Sequence, residues 1–570
     1  MQKRWVLKPK GDRSKTDQLS KDLNINKVLS NLLVQRGINN YEEAKKFFRP
    51  VLEDLHDPFL MKDMDKAIER LCRAIENNER ILVFGDYDVD GTTAVALVYS
   101  QLHKITDNID FYIPDRYKEG YGVSTDGIDY AHKTGCSLII ALDCGIKSID
   151  KVAYSNSLGV DFIICDHHTP GNTLPDAVAV LDPKRSDCNY PYKELSGCGI
   201  GFKLMQAYYQ SQSISIEELI PSLDLAVISI ASDIVPITGE NRVLAYYGLK
   251  QLNAFPRPGI KAMLDLNRIK KELTITDIVF IIGPRINAAG RISSGKEAVE
   301  LLISENADVA SLQSIGINDN NIERRELDLN ITDQALSIID GDVTLQTKKT
   351  TVLFNKEWHK GVIGIVASRL TEKYYRPTIV LTESNGMATG SARSVKNFDL
   401  YSAIENCSDL LEQFGGHMYA AGLTMKVENI AAFQARFEEV VSATIEEQML
   451  TQEIEIDDEI ELSQISSSFF NVLNQLAPFG PGNMMPVFKS KKIYDSGYAK
   501  VVGTKHLKLY VAQNGAPAYG AIAFGQADQL MSISHRNPFD ACYTIEENVF
   551  NDKKSLQLNI KDIIAPSSAN

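Results

Sequence analysis

Three acids alternate in GDYDVDG at residues 85–91: Asp86, Asp88 and Asp90. Alternation lets Asp86 and Asp88 converge on one spot, and clustered carboxylates are the ligands that hard divalent cations such as magnesium and manganese take. Asp143 follows SLIIAL, Asp166, His167 and His168 follow DFIIC, and Asp233 stands in SIASDIVP. A neutral imidazole binds manganese or zinc, and a carboxylate beside it can orient the ring. Adjacent histidines after a buried strand point different ways, which predicts one metal ligand and one substrate contact. Asp86, Asp88, Asp143, His167 and Asp233 together suffice for two divalent ions that clamp the attacking and leaving oxygens of an in-line phosphoryl displacement. Taken singly, each segment also reads as a turn, a helix cap or a solvated loop. The ligand spacing and terminal Glu of a calcium loop are missing.

Shared position favours the chemical reading. Apolar runs at 81–84, 109–113, 138–142, 162–165 and 177–181 each end in Asp, Gly, His or Pro and lead toward a helix-like stretch. This is the βα signature of a parallel sheet, and open sheets of this kind bind ligands at the carboxyl ends of their strands. The fold class predicted is therefore α/β, with a parallel-sheet catalytic lobe. A second, smaller α/β lobe starts near Thr350, with glycine-rich turns at Gly390 and at Gly415 and Gly416. Helical patterns cover 19–71, 217–230 and 274–330, the last predicting a long connecting helix. From Glu453 short alternating runs predict a small β-barrel of the OB kind, and the closing APSSAN reads as a frayed tail. The domain division expected is 1–70, an N-terminal helical region; 71–240, catalytic; 241–345, a helical connector; 346–450, substrate-binding; and 451–570, the barrel.

The second lobe brings Arg393 in GSARS and His417 in FGGH beside those glycines, a combination suited to phosphate through backbone N–H groups and a bidentate guanidinium. In the barrel, Lys489, Lys491, Lys492, Lys500, Lys505 and Lys508 interleave with Phe488, Tyr494, Tyr498, His506 and Tyr510. Cations with aromatics suit single-stranded nucleic acid. The net charge of −14 weighs against a polyanionic partner, but acids gathered for metals count in that sum while the bound ions reverse the local field. The chain has 570 residues, more than one core usually serves. It has no apolar run long enough for a bilayer, its basic start leads into no signal-peptide pattern, and the cytoplasm is the expected compartment. The eight cysteines contain no CxxC pair and are expected as free thiols.

GDYDVDG, the Asp143 segment, DHH and ASDIVP resemble, in this order, the motifs of the DHH phosphoesterase family. PRINAAGR (284–291), WHKGVIGIVASRL (358–370), GSARS (390–394), FGGHMYAAG (414–422) and LAPFGPGN (476–483) are similar to its branch of single-strand-specific exonucleases. The resemblance covers nearly the whole chain. It implies a manganese- or magnesium-dependent enzyme, with two ions, that degrades single-stranded DNA from the 5′ end in repair and recombination. It places Asp86, Asp88, Asp143, His167 and Asp233 at metal positions, Asp166 and Asp90 at supporting ones, and His168 toward the substrate. It also puts Arg116, Ser391 and Arg393 near a terminal phosphate, Arg285 and Asn287 near the strand backbone, and Gly416 with His417 at the substrate; Tyr121 could stack on a base. A helicase and a single-strand-binding protein are the implied partners, with a monomeric state and no membrane. Met484 departs from the pattern, standing where the family's usual segment has proline. The rivals are a phosphodiesterase for short oligoribonucleotides or cyclic dinucleotides, a related pyrophosphatase, and a non-cutting homologue that only binds nucleic acid.

Overall fold

The computed structural model describes residues 3–534, 536–550 and 553–565. Two compact units form: Asp57–Asp233 with Tyr247–Gln452, and Lys3–His56 with Ile234–Tyr246 and the chain from Glu453 onward.

In the first unit, β1 (Arg80–Gly85), β2 (Ile109–Tyr112), β3 (Cys136–Leu142), β4 (Asp161–Cys165) and β5 (Ala179–Leu181) make one sheet in the order β2-β1-β3-β4-β5. Every pairing is parallel. Ile81, Leu82 and Val83 in β1 and Leu138 through Leu142 in β3 are fully buried, because helices cover both faces of such a sheet and leave no side for water. Helices α1 (Val89–His103), α2 (Gly197–Ser211) and α3 (Leu223–Ser232) pack against one another beside it. A Cβ on Gly91 would lie 2.4 Å from the Asp86 carbonyl oxygen. Glycine is thus what lets α1 start directly against the end of β1.

The helical stretch expected at 274–330 is broken. A π-helical turn, Ile278–Ile282, runs into α4 (Gly283–Ile292), and the connector proper is α5 (Ala307–Gly341). The break follows from capping: Ser294 accepts from Lys296 N–H and Asn306 accepts from Asp308 and Val309 N–H, each restarting a helix. Beyond α5, β6 (Thr351–Phe354), α6 (Ile363–Tyr374), β7 (Thr378–Ser384), β8 (Met387–Arg393), β9 (Gln413–His417) and β10 (Ala420–Lys426) form the second lobe, with strand order β6-β7-β8-β10-β9. Gly390, Gly415 and Gly416 lie in strands and not in turns, which corrects the expectation. At two of them smallness is used for packing: a Cβ on Gly390 would meet Leu381 at 2.5 Å, and one on Gly416 would meet the Ala420 carbonyl oxygen at 2.4 Å, whereas one on Gly415 would point into open space.

In the second unit, β11 (Phe488–Asp495), β12 (Lys500–Val502), β13 (His506–Ala512), β14 (Tyr519–Ala523), β15 (Phe539–Phe550) and β16 (Lys553–Ile564) build the barrel. Its circuit β11-β15-β16-β14-β13 closes through the β11–β13 pairing. The strand Arg4–Leu7, absent from the sequence expectation, pairs in parallel with Glu453–Ile456. Leu29 and Leu32, from the helix Lys27–Gln35, enter the barrel's core with Phe488, Leu509 and Tyr543. All eight cysteines are free, and among the described residues no helix is long and apolar enough to cross a membrane. Residues 566–570 of the expected tail lie outside the described residues.

Candidate active site

The carboxyl ends of β1, β3 and β4 and the end of α3 meet. Asp86 is fully buried; one oxygen accepts from Gly122 N–H at 3.3 Å, and Oδ2 has no partner. Asp88 caps α1 through Gly91 N–H at 3.1 Å. Asp90 accepts from Gly197 and Cys198 N–H at 2.7 and 2.8 Å and from the Ser229 hydroxyl at 2.6 Å. It therefore pins the start of α2 and the flank of α3 to α1, where a helix N-terminus favours an anion. Asp143 sits in left-handed backbone at φ 61°, a conformation aspartate tolerates better than most residues, and Oδ1 finds no hydrogen-bond donor.

His167 Nε2 faces this group, 3.2 Å from Asp143 Oδ1, 3.6 Å from Asp233 Oδ2 and 3.7 Å from Asp90 Oδ2. Ligand atoms of Asp143, His167 and His168 lie within 4.8 Å of one another, as do those of Asp90, His167 and Asp233. Asp90, expected only to support, thus also borders the candidate metal position. Burial and neighbouring acids raise the carboxyls of Asp86, Asp88 and Asp143 above the ordinary range, and push Asp233 up to about 8. Oxygen-rich, mutually repelling and partly without donors, this set fits divalent cations.

Asp166 is different. Burial works against its ionisation, yet the His168 ring at 2.7 Å and the N–H groups of Ile146, His167 and His168 hold it below the usual value. In return the Asp166 carboxylate overcomes the burial of His168 and lifts it to about 9. His168 Nε2 lies 3.0 Å from the Tyr121 hydroxyl, and the Tyr121 side chain is open to solvent.

A second constellation is cationic. Arg116 lies 5.0 Å over the Tyr87 ring, and Arg393 donates to the Ser391 hydroxyl at 2.8 Å. Arg291 donates to the Gly361 carbonyl at 2.9 Å. Burial and the charges of Arg116, Arg393 and Arg324 depress Arg291 to about 9; burial and Arg116 likewise lower Lys360 and Arg393. His417 is lowered by burial, Arg393 and His168, which places it toward both constellations. Cations that depress one another await an anion. Arg291 was not singled out from the sequence, although it closes PRINAAGR; its partners are distant in the chain. Arg285 donates to the Ile281 carbonyl at 2.6 Å and to Asn267, and Asn287 is half-buried on the same helix.

Three family models match the chain: "DHH family, N-terminal domain" at residues 80–230, "DHHA1 domain" at 347–443 and "RecJ OB domain" at 456–562. The single-stranded-DNA-specific exonuclease RecJ of Bacillus subtilis is 35% identical over 98% of this chain and 70% of its own length. That of Escherichia coli is 32% identical over 94% and 95%. The chain belongs to the RecJ family. The crystal structure of RecJ with Mn2+ from Thermus thermophilus superposes with a TM-score of 0.85 at 25% identity, covering 99% of this chain and 80% of that one. Within this RecJ-family chain, Asp233 and Arg291 fall outside all three matched spans; Asp233 was named from the sequence, and the geometry alone brings in Arg291.

The barrel's basic and aromatic set separates on folding. Phe488 is core, Lys489 lies 3.7 Å from Asp540 and over the Trp5 ring, and Lys491 pairs with Glu459 at 2.8 Å. Lys500, Lys505 and Lys508 stay exposed around β12 and β13, beside Tyr498 and Tyr510, whose rings meet edge to face at 5.6 Å.

Proposed function

We propose that this chain is a divalent-metal-dependent exonuclease that hydrolyses phosphodiester bonds of single-stranded DNA from the 5′ end, in repair and recombination. The observation that carries the reading is the pairing of a buried carboxylate–imidazole cluster with a half-buried arginine cluster in one unit. Asp86, Asp88, Asp143, His167 and Asp233 would hold two ions, manganese or magnesium. When bound, these supply charge neutralisation at the attacked phosphate and a lowered pKa for water. The protein's own part is orientation. Asp90 and Asp166 lock the elements that present the ligands. His168, whose Nδ1 is held by Asp166, offers Nε2 to the substrate beside the Tyr121 hydroxyl.

Arg116, Ser391 and Arg393, joined by Arg291, His417 and the strand around Gly416, receive the terminal phosphate, while Tyr121 offers a stacking face. Arg285 and Asn287 are assigned to the strand backbone. In this reading 71–240 does the chemistry, 346–450 holds the strand's end, 241–345 connects them, and 451–570 binds the strand beyond. Residues 1–70 are the N-terminal helical region. A helicase and a single-strand-binding protein are the partners such a monomer would need. The test supplies manganese and either a 5′-phosphorylated single strand or a cyclic dinucleotide. Stepwise release of nucleotides from the strand is expected, and preference for the dinucleotide would overturn the reading.

A further inference from the structure

The loop between β2 and the helix Thr125–Lys133 carries groups of both constellations. Arg116 lies over Tyr87, Tyr117 donates to the Arg291 carbonyl, Tyr121 reaches His168, and Gly122 N–H reaches Asp86. With no strand ladder of its own, such a segment needs side chains to fix it. Glu119 does this. Its Oε1 accepts from Asp115 N–H at 2.7 Å, and its Oε2 accepts from the Tyr112 hydroxyl at 3.0 Å and the Ser124 hydroxyl at 2.5 Å.

Both hydroxyl anchors are rigid. Tyr112 ends β2 and stacks on Phe84 at 5.6 Å. Ser124 caps the next helix through Gly127 N–H at 3.0 Å. Asp115 accepts from Tyr117 and Lys118 N–H at 2.8 and 3.0 Å, so the Glu119 contact to Asp115 fixes the turn that bears Arg116. The carboxylate closes the loop on itself and bolts it to the sheet.

We propose that Glu119 is a positioning residue that sets the distance between the phosphate-holding Arg116 and the Asp86–His168 side of the metal centre. It acts through the loop and touches neither strand nor metal. The inference rests on the reading that Arg116 receives the terminal phosphate. One carboxylate thereby couples recognition of the strand's end to the place of cleavage.

The test is a double-mutant cycle in the full chain carrying Asp143→Ala, with binding of 5′-phosphorylated and 5′-hydroxyl oligonucleotides read by anisotropy in magnesium. Arg116→Ala should reduce the preference for the phosphorylated end roughly tenfold, as for a lost charge-assisted hydrogen bond. Glu119→Ala should do the same, and the double variant should fall no further. Glu119→Gln should keep most of the preference, because its carbonyl still accepts from Asp115 while the Tyr112 and Ser124 hydroxyls can turn to accept from the amide. Should the alanine variant not fold, as judged by its thermal melt, Glu119→Asp replaces it; one methylene shorter, it cannot span both anchors. Additive losses, equal weakening of the hydroxyl strand, or a glutamine variant as poor as alanine overturns the coupling alone. An unchanged preference in Arg116→Ala overturns the phosphate reading beneath it.

Discussion

Asp233→Asn separates two forces that act on the same residue. In metal-free protein, burial and the charges of Asp90 and Asp88 push Asp233 from an ordinary 3.8 to about 8. Each tenfold in proton affinity is worth about 1.4 kcal/mol, so holding this carboxyl folded at pH 7 costs about 4 kcal/mol relative to the unfolded chain. Its side chain is 30% exposed, and solvent screening brings the figure to about 2–4 kcal/mol. The sign follows from the folded value lying above the unfolded one. The neutral carboxyl favours folding fully below about pH 4, and that advantage is lost as pH rises through about 8. Asparagine does not titrate. In chelator, urea midpoints should therefore show Asp233→Asn more stable than the parent at pH 8 and nearly equal to it at pH 4. Manganese should reverse the order, since a ligand at a hundred times its Kd stabilises the parent by about 2.7 kcal/mol and the variant has lost a ligand. Destabilisation by Asp233→Asn in chelator at pH 8 would refute the view that unneutralised repulsion dominates the empty cluster.

Asp143→Ala should abolish turnover in manganese while anisotropy shows strand binding retained; equal loss of both would point to a structural role. Gly91→Ala drives a Cβ to 2.4 Å from the Asp86 carbonyl and should cost about 1–3 kcal/mol by thermal melt, with a larger loss in single-turnover rate as Asp86 shifts. Arg291→Met removes a cation that burial and its arginine neighbours depress to about 9. Thermal melts should show the strand-free protein no less stable, and binding of a 5′-phosphorylated strand should weaken by roughly tenfold or more. Tyr498→Ala with Tyr510→Ala should weaken long strands by about 1–3 kcal/mol per lost stack and leave trinucleotide turnover intact. Each Lys→Ala at Lys500, Lys505 or Lys508 should lower the salt slope of binding by about 0.7.

The parallel sheet was legible because its inner strands β1, β3 and β4 are buried on both faces and so read as apolar runs, whereas the edge strand β2, IDFY, is only half-buried. The acids at its rim were legible for the same reason: a charge immediately after such a run has only the strand's end to occupy. The second lobe was harder. GSARS and FGGH look like turns, since glycine is the residue turns most often require, whereas here Gly390 and Gly416 serve strands packed too closely for a Cβ. In the barrel, alternation identified strands correctly, yet could not tell that Lys489 and Lys491 face acids while Lys500, Lys505 and Lys508 face solvent. Pairing with Asp540 and Glu459 is a matter of register, and short strands with polar residues on one face leave register open.

The sequence by itself determined the chemistry available to this protein, because metal-ligand type and strand-end position are both local properties. It also determined the order of α/β lobes and β-barrel, which hydrophobic period reports directly. Tertiary structure alone decided which distant groups meet. The resemblance had already set Arg116 with Arg393, but only the fold brings Arg291 to them, since nothing local in the chain links it to either. Likewise Arg4–Leu7 joins Glu453–Ile456, at the far end of the chain, because strand pairing is satisfied by backbone groups that every residue carries and no side-chain pattern announces.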